Sequence, residues 1–207
     1  MDNKIEWNEE NEINAELETY DDEHYEREPW QKDRMEKIIK FCLSNKPPLS
    51  KANNKPLKVL DVGAADGYLS DKLIKLGYDV IPLDLSPTRL KRMKEIYGID
   101  GVLGDIKNIP FPDKTFDIVI AAEILEHLNE IWIGIKEIER VSKDDGLIVV
   151  SIPIGEEHDK FVLHKWAIRK TDVEYLGRTD MVVFSLNRIN RKETKWKLKF
   201  TILMEIE

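Results

Sequence analysis

Residues 59–67 read VLDVGAADG, a short apolar run interrupted by one acidic side chain and followed by a turn of small residues. The run is typical of a buried strand, and a helical pattern begins directly after the turn. A ligand that approaches the backbone at the end of a strand requires small residues there, which Gly63 and Gly67 provide and Ala65 nearly provides. A tight strand–helix turn without a ligand is the alternative interpretation. The turn lacks the Gly-Lys-Ser/Thr sequence of a phosphate-binding P-loop, so we exclude that class of site.

Strands and helices alternate on the C-terminal side of this stretch. The apolar spacing predicts strands at 57–62, 79–83, 101–103, 116–122 and 146–152, and helices at 68–76, 87–97 and 131–141. A helix around 170–176 and two β-rich runs, 181–189 and 196–206, follow; the two runs predict an antiparallel hairpin. We therefore predict an α/β fold: a three-layer αβα sandwich with a mostly parallel seven-stranded sheet that ends in this hairpin.

The N-terminal segment differs from the rest in charge. Residues 1–28 carry twelve acidic and two basic side chains, a net charge of −10 in a chain whose total is −8. We expect this segment to be flexible or weakly helical, and residues 29–207, which open with a helix at 29–43, to form one domain. The nearly neutral remainder shows no broad positive face for duplex nucleic acid.

Composition indicates a cytoplasmic protein. The 207 residues include 42% hydrophobic ones, but no apolar run is long enough to span a bilayer, and the acidic start is unlike a signal peptide. The single cysteine, Cys42, excludes an internal disulfide and lies in an apolar helical pattern typical of a buried thiol. We expect no membrane partner and either a monomer or a homodimer.

Two further acidic residues follow the second and third predicted strands. Asp84 comes seventeen residues after Gly67, where a carboxylate can accept both hydroxyl protons of an adenosine ribose. Its alternative role is to cap the next helix, which Ser86 could do equally well. Asp105 could accept a hydrogen bond from an adenine amino group while Ile106 packs on the base; a turn Asp facing solvent is the alternative.

These three sites together resemble the cofactor-binding motifs of class I S-adenosylmethionine (SAM)-dependent methyltransferases. The resemblance covers residues 57–153. Within this range, residues 116–119 and 123–128 look like the family's fourth-strand region. It implies SAM as cofactor, with S-adenosylhomocysteine as product. One departure is Ala65, where the family usually has glycine. The residues implied or proposed as cofactor contacts are Asp61, Gly63, Ala65, Gly67, Asp84, Leu85, Asp105, Ile106, Ala122 and, in an N-terminal lid with Trp30, Tyr20 and Tyr25.

The acceptor side of the site is less defined by sequence. Methyl transfer needs alignment of the acceptor and exclusion of water, and an acceptor with a labile proton benefits from a general base. We rank His164 first, because family members build their acceptor pocket after the fifth strand, and His127 and Glu123 next; His158 is a further candidate. A lone histidine of this kind is equally often a structural hydrogen-bonding residue.

Our predicted function is methyl transfer from SAM to an oxygen or nitrogen atom of a small molecule, without a metal. One alternative joins Glu123, Glu126, His127 and His164 in a divalent-cation site, as in the similar enzymes that methylate the terminal 2′-hydroxyl of small RNAs. Another is a non-catalytic SAM-binding or partner-binding module. We rank RNA below a small molecule, expect no DNA acceptor because no Asn/Asp-Pro-Pro-aromatic motif follows the fourth strand, and place a dinucleotide oxidoreductase last.

Overall fold

The computed structural model describes residues 20–45, 55–153 and 181–185. Five α-helices and six strands form this part of the chain, in the order α1 (Asp22–Arg27), α2 (Pro29–Asn45), β1 (Lys58–Val62), α3 (Tyr68–Lys75), β2 (Asp79–Asp84), α4 (Pro87–Tyr97), β3 (Val102–Leu103), β4 (Phe116–Ala122), α5 (Ile131–Val141), β5 (Ser142–Pro153) and β6 (Met181–Ser185). A short 3-10 helix, Leu125–His127, lies between β4 and α5.

The six strands form one sheet in the order β3-β2-β1-β4-β5-β6. Strands β1 to β5 are parallel, and β6 runs antiparallel to β5. The chain builds the sheet outward from β1 to β3 and then returns to the other side of β1. Ligands of open α/β sheets bind at such a reversal, beyond the carboxyl ends of the strands. The predicted α/β fold is confirmed. The reversal indicates a candidate site beyond the carboxyl ends of β1 and β4.

Side chains from both faces of the sheet are buried. In β1, Val59 belongs to one apolar cluster together with α2, whereas Leu60 belongs to a second cluster together with α5. Ile118 and Val119 divide in the same way between the two clusters. Strands covered on both faces have continuous apolar sequences, which explains why β4 shows no polar alternation. The helices therefore form outer layers on the two sides of the sheet.

Parts of the predicted architecture fall outside the described residues. These are residues 1–19 of the acidic segment, the helix around 170–176 and the second hairpin arm, 196–206. Strand β6 lies within the first predicted arm, so the described sheet has six of the seven predicted strands. Residues 22–27 of the acidic segment form α1. No helix in the described ranges is long and apolar enough to cross a membrane.

Candidate cofactor site

The turn after β1 has a backbone that favours small residues. Gly63, Ala65 and Gly67 all have positive φ, of 74°, 49° and 91°. A Cβ atom on Gly67 would lie 2.5 Å from Cγ of Met93, so this glycine is required by space as well as by conformation. The N–H groups of Gly63 and Ala64 donate to the carbonyl of Leu83 at the end of β2, at 2.8 and 3.1 Å. The turn is therefore fixed between the carboxyl ends of β1 and β2.

Ala65, where the family usually has glycine, adopts the left-handed conformation that glycine favours. Its left-handed conformation costs roughly 1–2 kcal/mol for a residue with a Cβ atom. Its N–H donates to Oδ2 of Asp84 at 2.8 Å. That hydrogen bond holds the turn in the conformation that brings the backbone of residues 63–67 to the edge of the sheet.

Asp84 ends β2 and is 8% exposed. Its two carboxylate oxygens accept hydrogen bonds from the N–H groups of Ala65 and of Ser86, at 2.8 and 2.9 Å. Burial raises the pKa of this carboxyl, and the two hydrogen bonds and the nearby Arg89 oppose the increase. Ser86 is the N-cap of α4, and its hydroxyl accepts from the N–H of Arg89. Ser86 therefore fills the capping role that was the alternative for Asp84, and the Asp84 carboxylate instead connects the turn after β1 to the end of β2.

Asp61 lies in β1 and is 1% exposed. The Ser70 hydroxyl donates to Oδ2 of Asp61 at 2.7 Å. Burial raises the pKa of Asp61 to about 6 against the lowering effect of that hydrogen bond, and the negative charge of Asp84 raises it further. Two buried carboxylates thus influence each other at adjacent strand ends. Such a pair fits a ligand that brings a cationic amino group and ribose hydroxyls, which SAM does.

Asp105 follows β3, the next strand along the sheet edge. Gly104 donates its N–H to the carbonyl of Asp84 at 3.0 Å, so the third strand tip lies against the second. The Asp105 carboxylate accepts from the N–H of Lys107 at 2.8 Å, and Ile106 is buried in the core. The structure therefore brings Asp61, Asp84 and Asp105 to the ends of three neighbouring strands. Leu85 and Ala122, the other predicted contacts, are half-buried there.

The two predicted lid tyrosines occupy different environments. Tyr20 lies beside the turn, where its backbone N–H donates to Oδ2 of Asp66 at 2.6 Å. Tyr25 is 8% exposed and stacks on Tyr68, with ring centroids 3.9 Å apart. Tyr25 therefore packs α1 onto α3, and of the two tyrosines Tyr20 lies nearer the turn after β1. The Trp30 side chain lies outside the described part.

On the acceptor side, Glu123 follows β4 with a positive φ of 52°. Its carboxylate accepts from the Ser151 hydroxyl at 2.9 Å and forms an ion pair with Arg34 at 3.3 Å. Glu126 is 1% exposed, and burial, together with the neighbouring negative charge of Glu123, raises the pKa of its carboxyl. His127 is half-buried and ends the 3-10 helix. These interactions favour a structural role for Glu123 over that of a proton acceptor.

The described ranges contain no group of three His, Cys, Asp or Glu side chains placed to hold a metal ion. His158 and His164 lie outside these ranges, so their predicted roles stay predictions. Sequence reasoning did not single out Asp66 or Arg34. Arg34 lies four residues before the buried Ile38, so both side chains share one face of the helix. A charged residue on an apolar helical face indicates that its charge has a partner inside the fold.

Comparisons with known proteins agree on one family. The profile of a methyltransferase domain matches residues 60–150. The rice protein 2-methyl-6-phytyl-1,4-hydroquinone methyltransferase 1, chloroplastic, is 31% identical over 150 residues, which are 68% of this chain and 44% of the relative. A demethylmenaquinone methyltransferase from Renibacterium salmoninarum is 38% identical over 95 residues, covering 45% of this chain and 40% of the relative. The chain thus spans less than half the length of these curated relatives.

Solved structures share the fold. A putative methyltransferase from Bacillus halodurans C-125 superposes with a TM-score of 0.55 at 21% identity, covering 68% of this chain and 64% of that one. A putative methyltransferase from Haloferax volcanii, solved with the Trm112 activator, gives a TM-score of 0.56 at 17% identity, covering 76% and 74%. The methyltransferase-domain match over residues 60–150 and the methyltransferase relatives show that the chain carries a domain of the class I, Rossmann-like family of SAM-dependent methyltransferases, and the two solved structures share its fold.

Proposed function

We propose that this chain transfers the methyl group of SAM to an oxygen or nitrogen atom of a small-molecule acceptor. The observation that carries the proposal is the set of three carboxylates, Asp61, Asp84 and Asp105, at the ends of adjacent parallel strands around the glycine turn. The names of the relatives support a quinone or hydroquinone acceptor, and one of them, a ubiquinone biosynthesis O-methyltransferase from Bradyrhizobium diazoefficiens, acts on oxygen.

The residues divide the cofactor between them. Asp84 would accept hydrogen bonds from the ribose hydroxyls, and Asp105 would accept one from the adenine amino group. Ile106 would pack on the base. Asp61 would attract the cationic amino group, and the backbone of residues 63–67 would line the methionine portion. SAM supplies a methyl group that is already activated, so the chain mainly has to align the acceptor and exclude water.

The acceptor's proton has to leave as its heteroatom bonds to the methyl carbon and the carbon–sulfur bond breaks. The proposed acceptors of that proton are His164, His127 and Glu123. The Glu123 carboxylate is engaged by Arg34 and by the Ser151 hydroxyl, which leaves the two histidines as the better candidates. Alanine variants of each, assayed for kcat across pH, would separate a base from a structural residue.

Titration calorimetry of SAM into cofactor-stripped protein tests the donor site. We expect saturable one-site binding that Asp84→Ala weakens at least about tenfold, because it removes charge-assisted hydrogen bonds of about 1.5–3 kcal/mol. Asp79→Ala is the matched control, because Asp79 lies at the amino-terminal end of the same strand, away from the proposed site, and is exposed. Absence of binding at millimolar SAM, in protein shown to be folded, would refute the proposed function.

The acceptor class is tested by transfer of a labelled methyl group. We expect label in hydroquinones or catechols and none in small RNAs, with no effect of a chelator. Label in RNA ends that requires a divalent cation would replace this acceptor class with the RNA alternative. SAM binding without transfer to any acceptor would support the non-catalytic module. We propose a cytoplasmic location and a monomer or homodimer, which fractionation and light scattering would test.

A further inference from the structure

Asp66 is a buried carboxylate within the cofactor turn that binds a distant part of the chain. Its side chain is 0% exposed. Oδ2 accepts the backbone N–H of Tyr20 at 2.6 Å, across 46 residues of sequence. Burying a carboxylate is costly unless it is hydrogen-bonded or paired. The bond to Tyr20 is therefore a strong constraint on where the chain before α1 can lie.

Arg89 of α4 completes a small polar cluster. Its Nη1 lies 3.6 Å from Oδ2 of Asp66, and its guanidinium lies 4.8 Å from the centre of the Tyr20 ring. Arg92 approaches the same carboxylate oxygen to 4.0 Å. Within the described residues, Oδ1 of Asp66 and Nη1 of Arg89 are buried without a hydrogen-bond partner. The cluster is thus only partly satisfied, and a small shift of either side chain would change its energy.

The same cluster touches the proposed donor site. Asp66 directly follows Ala65, whose N–H binds Asp84. The charge of Arg89 lowers the pKa of both Asp66 and Asp84 against the raising effect of burial. A ligand that draws on the Asp84 carboxylate therefore also alters the surroundings of Asp66 and, through it, of Tyr20.

The segment 20–27 has two further attachments, both to α3. Tyr25 stacks on Tyr68, and Asp22 forms an ion pair with Lys72 at 2.6 Å. Helix α3 begins immediately after the turn, with Gly67 as its N-cap. Docking of the segment and the conformation of the turn thus depend on the same short stretch of chain.

From these contacts we propose that Asp66 is a positioning residue that couples docking of segment 20–27 to occupation of the cofactor site. The proposal rests on the proposed function. By linkage, cofactor binding stabilises the docked segment, and the docked segment raises cofactor affinity by the same factor. Asp66 acts through the Tyr20 backbone and the turn, without contact to the reacting atoms.

The test combines hydrogen exchange of segment 20–27 with calorimetry, using S-adenosylhomocysteine as the probe. In the wild type we expect the probe to slow exchange in the segment. Asp66→Ala should abolish that slowing and weaken binding about tenfold, a coupling typical of linked sites. Asp66→Asn should be intermediate, because its amide oxygen still accepts the Tyr20 N–H while the attraction to Arg89 is lost.

Asp117→Ala is the matched control. Asp117 also accepts a hydrogen bond from one backbone N–H, that of Lys58, and pairs with a cation, Lys143. It lies at the amino-terminal ends of the strands, opposite to the proposed site. We expect this control to bind the probe as the wild type does. If Asp66→Ala does not fold, Tyr20→Pro removes the donor N–H instead; Tyr20→Ala, which lacks the ring but keeps the N–H, is its reference, and the proline variant should lose more of the coupling than the alanine variant does.

The outcomes separate the two proposals. A folded wild type that does not bind the probe refutes the proposed function and this inference together. A wild type that binds, with Asp66→Ala binding as tightly and protected as strongly, overturns the role of Asp66 and leaves the proposed function standing. Equal weakening in Asp66→Ala and Asp117→Ala would also overturn it, because the loss would then follow from general destabilisation.

Discussion

The wild type should lose unfolding free energy as pH rises because its buried Asp61 titrates, and Asp61→Asn should abolish this pH dependence. The Asp61 carboxyl is buried, and its pKa is raised to about 6 from the ordinary 3.8. The folded chain therefore holds this proton at pH values where the unfolded chain has released it. Stability from this group is fully present below pH 3.8 and is lost as pH rises to about 6. Above that pH the effect of Asp61 is constant.

The magnitude follows from the pKa difference. A difference of roughly two, at 1.36 kcal/mol for each pKa unit, corresponds to about 3 kcal/mol. Asparagine keeps the shape of the side chain and can still accept from the Ser70 hydroxyl, but it does not titrate. Relative to Asp61→Asn, the wild type should therefore lose about 2 kcal/mol of unfolding free energy between pH 4 and pH 6, because the titration is incomplete at both of these pH values.

Urea unfolding of both proteins at pH 4, 5, 6 and 7.5 measures this difference directly. Asp117→Asn is the control, because its carboxylate is also hydrogen-bonded yet 22% exposed at the opposite edge of the sheet. A stability difference between wild type and Asp61→Asn that does not change with pH would refute the reasoning. SAM affinity gives an independent check, since it should fall below about pH 6 in the wild type, as Asp61 loses its charge, and stay level in the variant.

Two further changes test the frame of the site. Gly67→Ala should lower the free energy of unfolding by about 2–4 kcal/mol, because its Cβ would lie 2.5 Å from Met93 and φ is 91°. Gly77→Ala is the control: its φ is 89° but nothing lies within 4 Å, so the loss should be only about 1 kcal/mol. Equal losses in urea unfolding of the two variants would contradict the steric argument. Arg140→Met should cost about 2 kcal/mol and speed hydrogen exchange in loop 109–111, because Arg140 donates to two carbonyls of that loop at 2.8 Å. Unchanged exchange there would show that the loop is held by other contacts.

Elements with local signals could be predicted closely from the sequence. Helix α4 begins and ends where predicted, because Ser86 caps it, Pro87 fits its first turn and Gly98 takes the left-handed conformation at its end. The predicted bounds of β4 and α5 also match the structure. In these cases the chain's own periodicity and capping residues decide the boundary, and packing only stabilises it.

Strand β5 shows where that approach fails. The predicted strand begins at residue 146, but β5 begins at Ser142 and includes the polar residues that precede Gly146. The extension arises from pairing of Phe116 with Ser142, beyond a register shift in β4. Pairing to a neighbour gives a polar stretch strand geometry without any alternation of apolar residues. Such a stretch carries no signal in a single sequence.

Contacts between distant segments were equally hidden. The bonds from Tyr20 to Asp66 and from Arg34 to Glu123 span 46 and 89 residues. A single sequence shows that Asp66 stands in a glycine turn and that Glu123 follows a strand, but it does not show which partner each carboxylate meets. For this reason Glu123 was predicted as a candidate base, whereas the structure places it in an ion pair.

The partners of the carboxylates at this edge of the sheet divide them into two groups. Asp61, Asp84 and Asp105 accept hydrogen bonds from residues of the turn, of α3 or of their own loops, and they lie along β1, β2 and β3. Asp66, after β1, is bound by Tyr20, which precedes α1, and Glu123, after β4, is bound by Arg34 of α2. The N-terminal residues are thus anchored on both sides of the point where strand order reverses. The first group forms the proposed donor site, and the second binds N-terminal residues beside it. We propose that the acceptor meets the methyl group on the β4 side, and we therefore expect variants at Arg34 to change the acceptor KM more than the affinity for SAM.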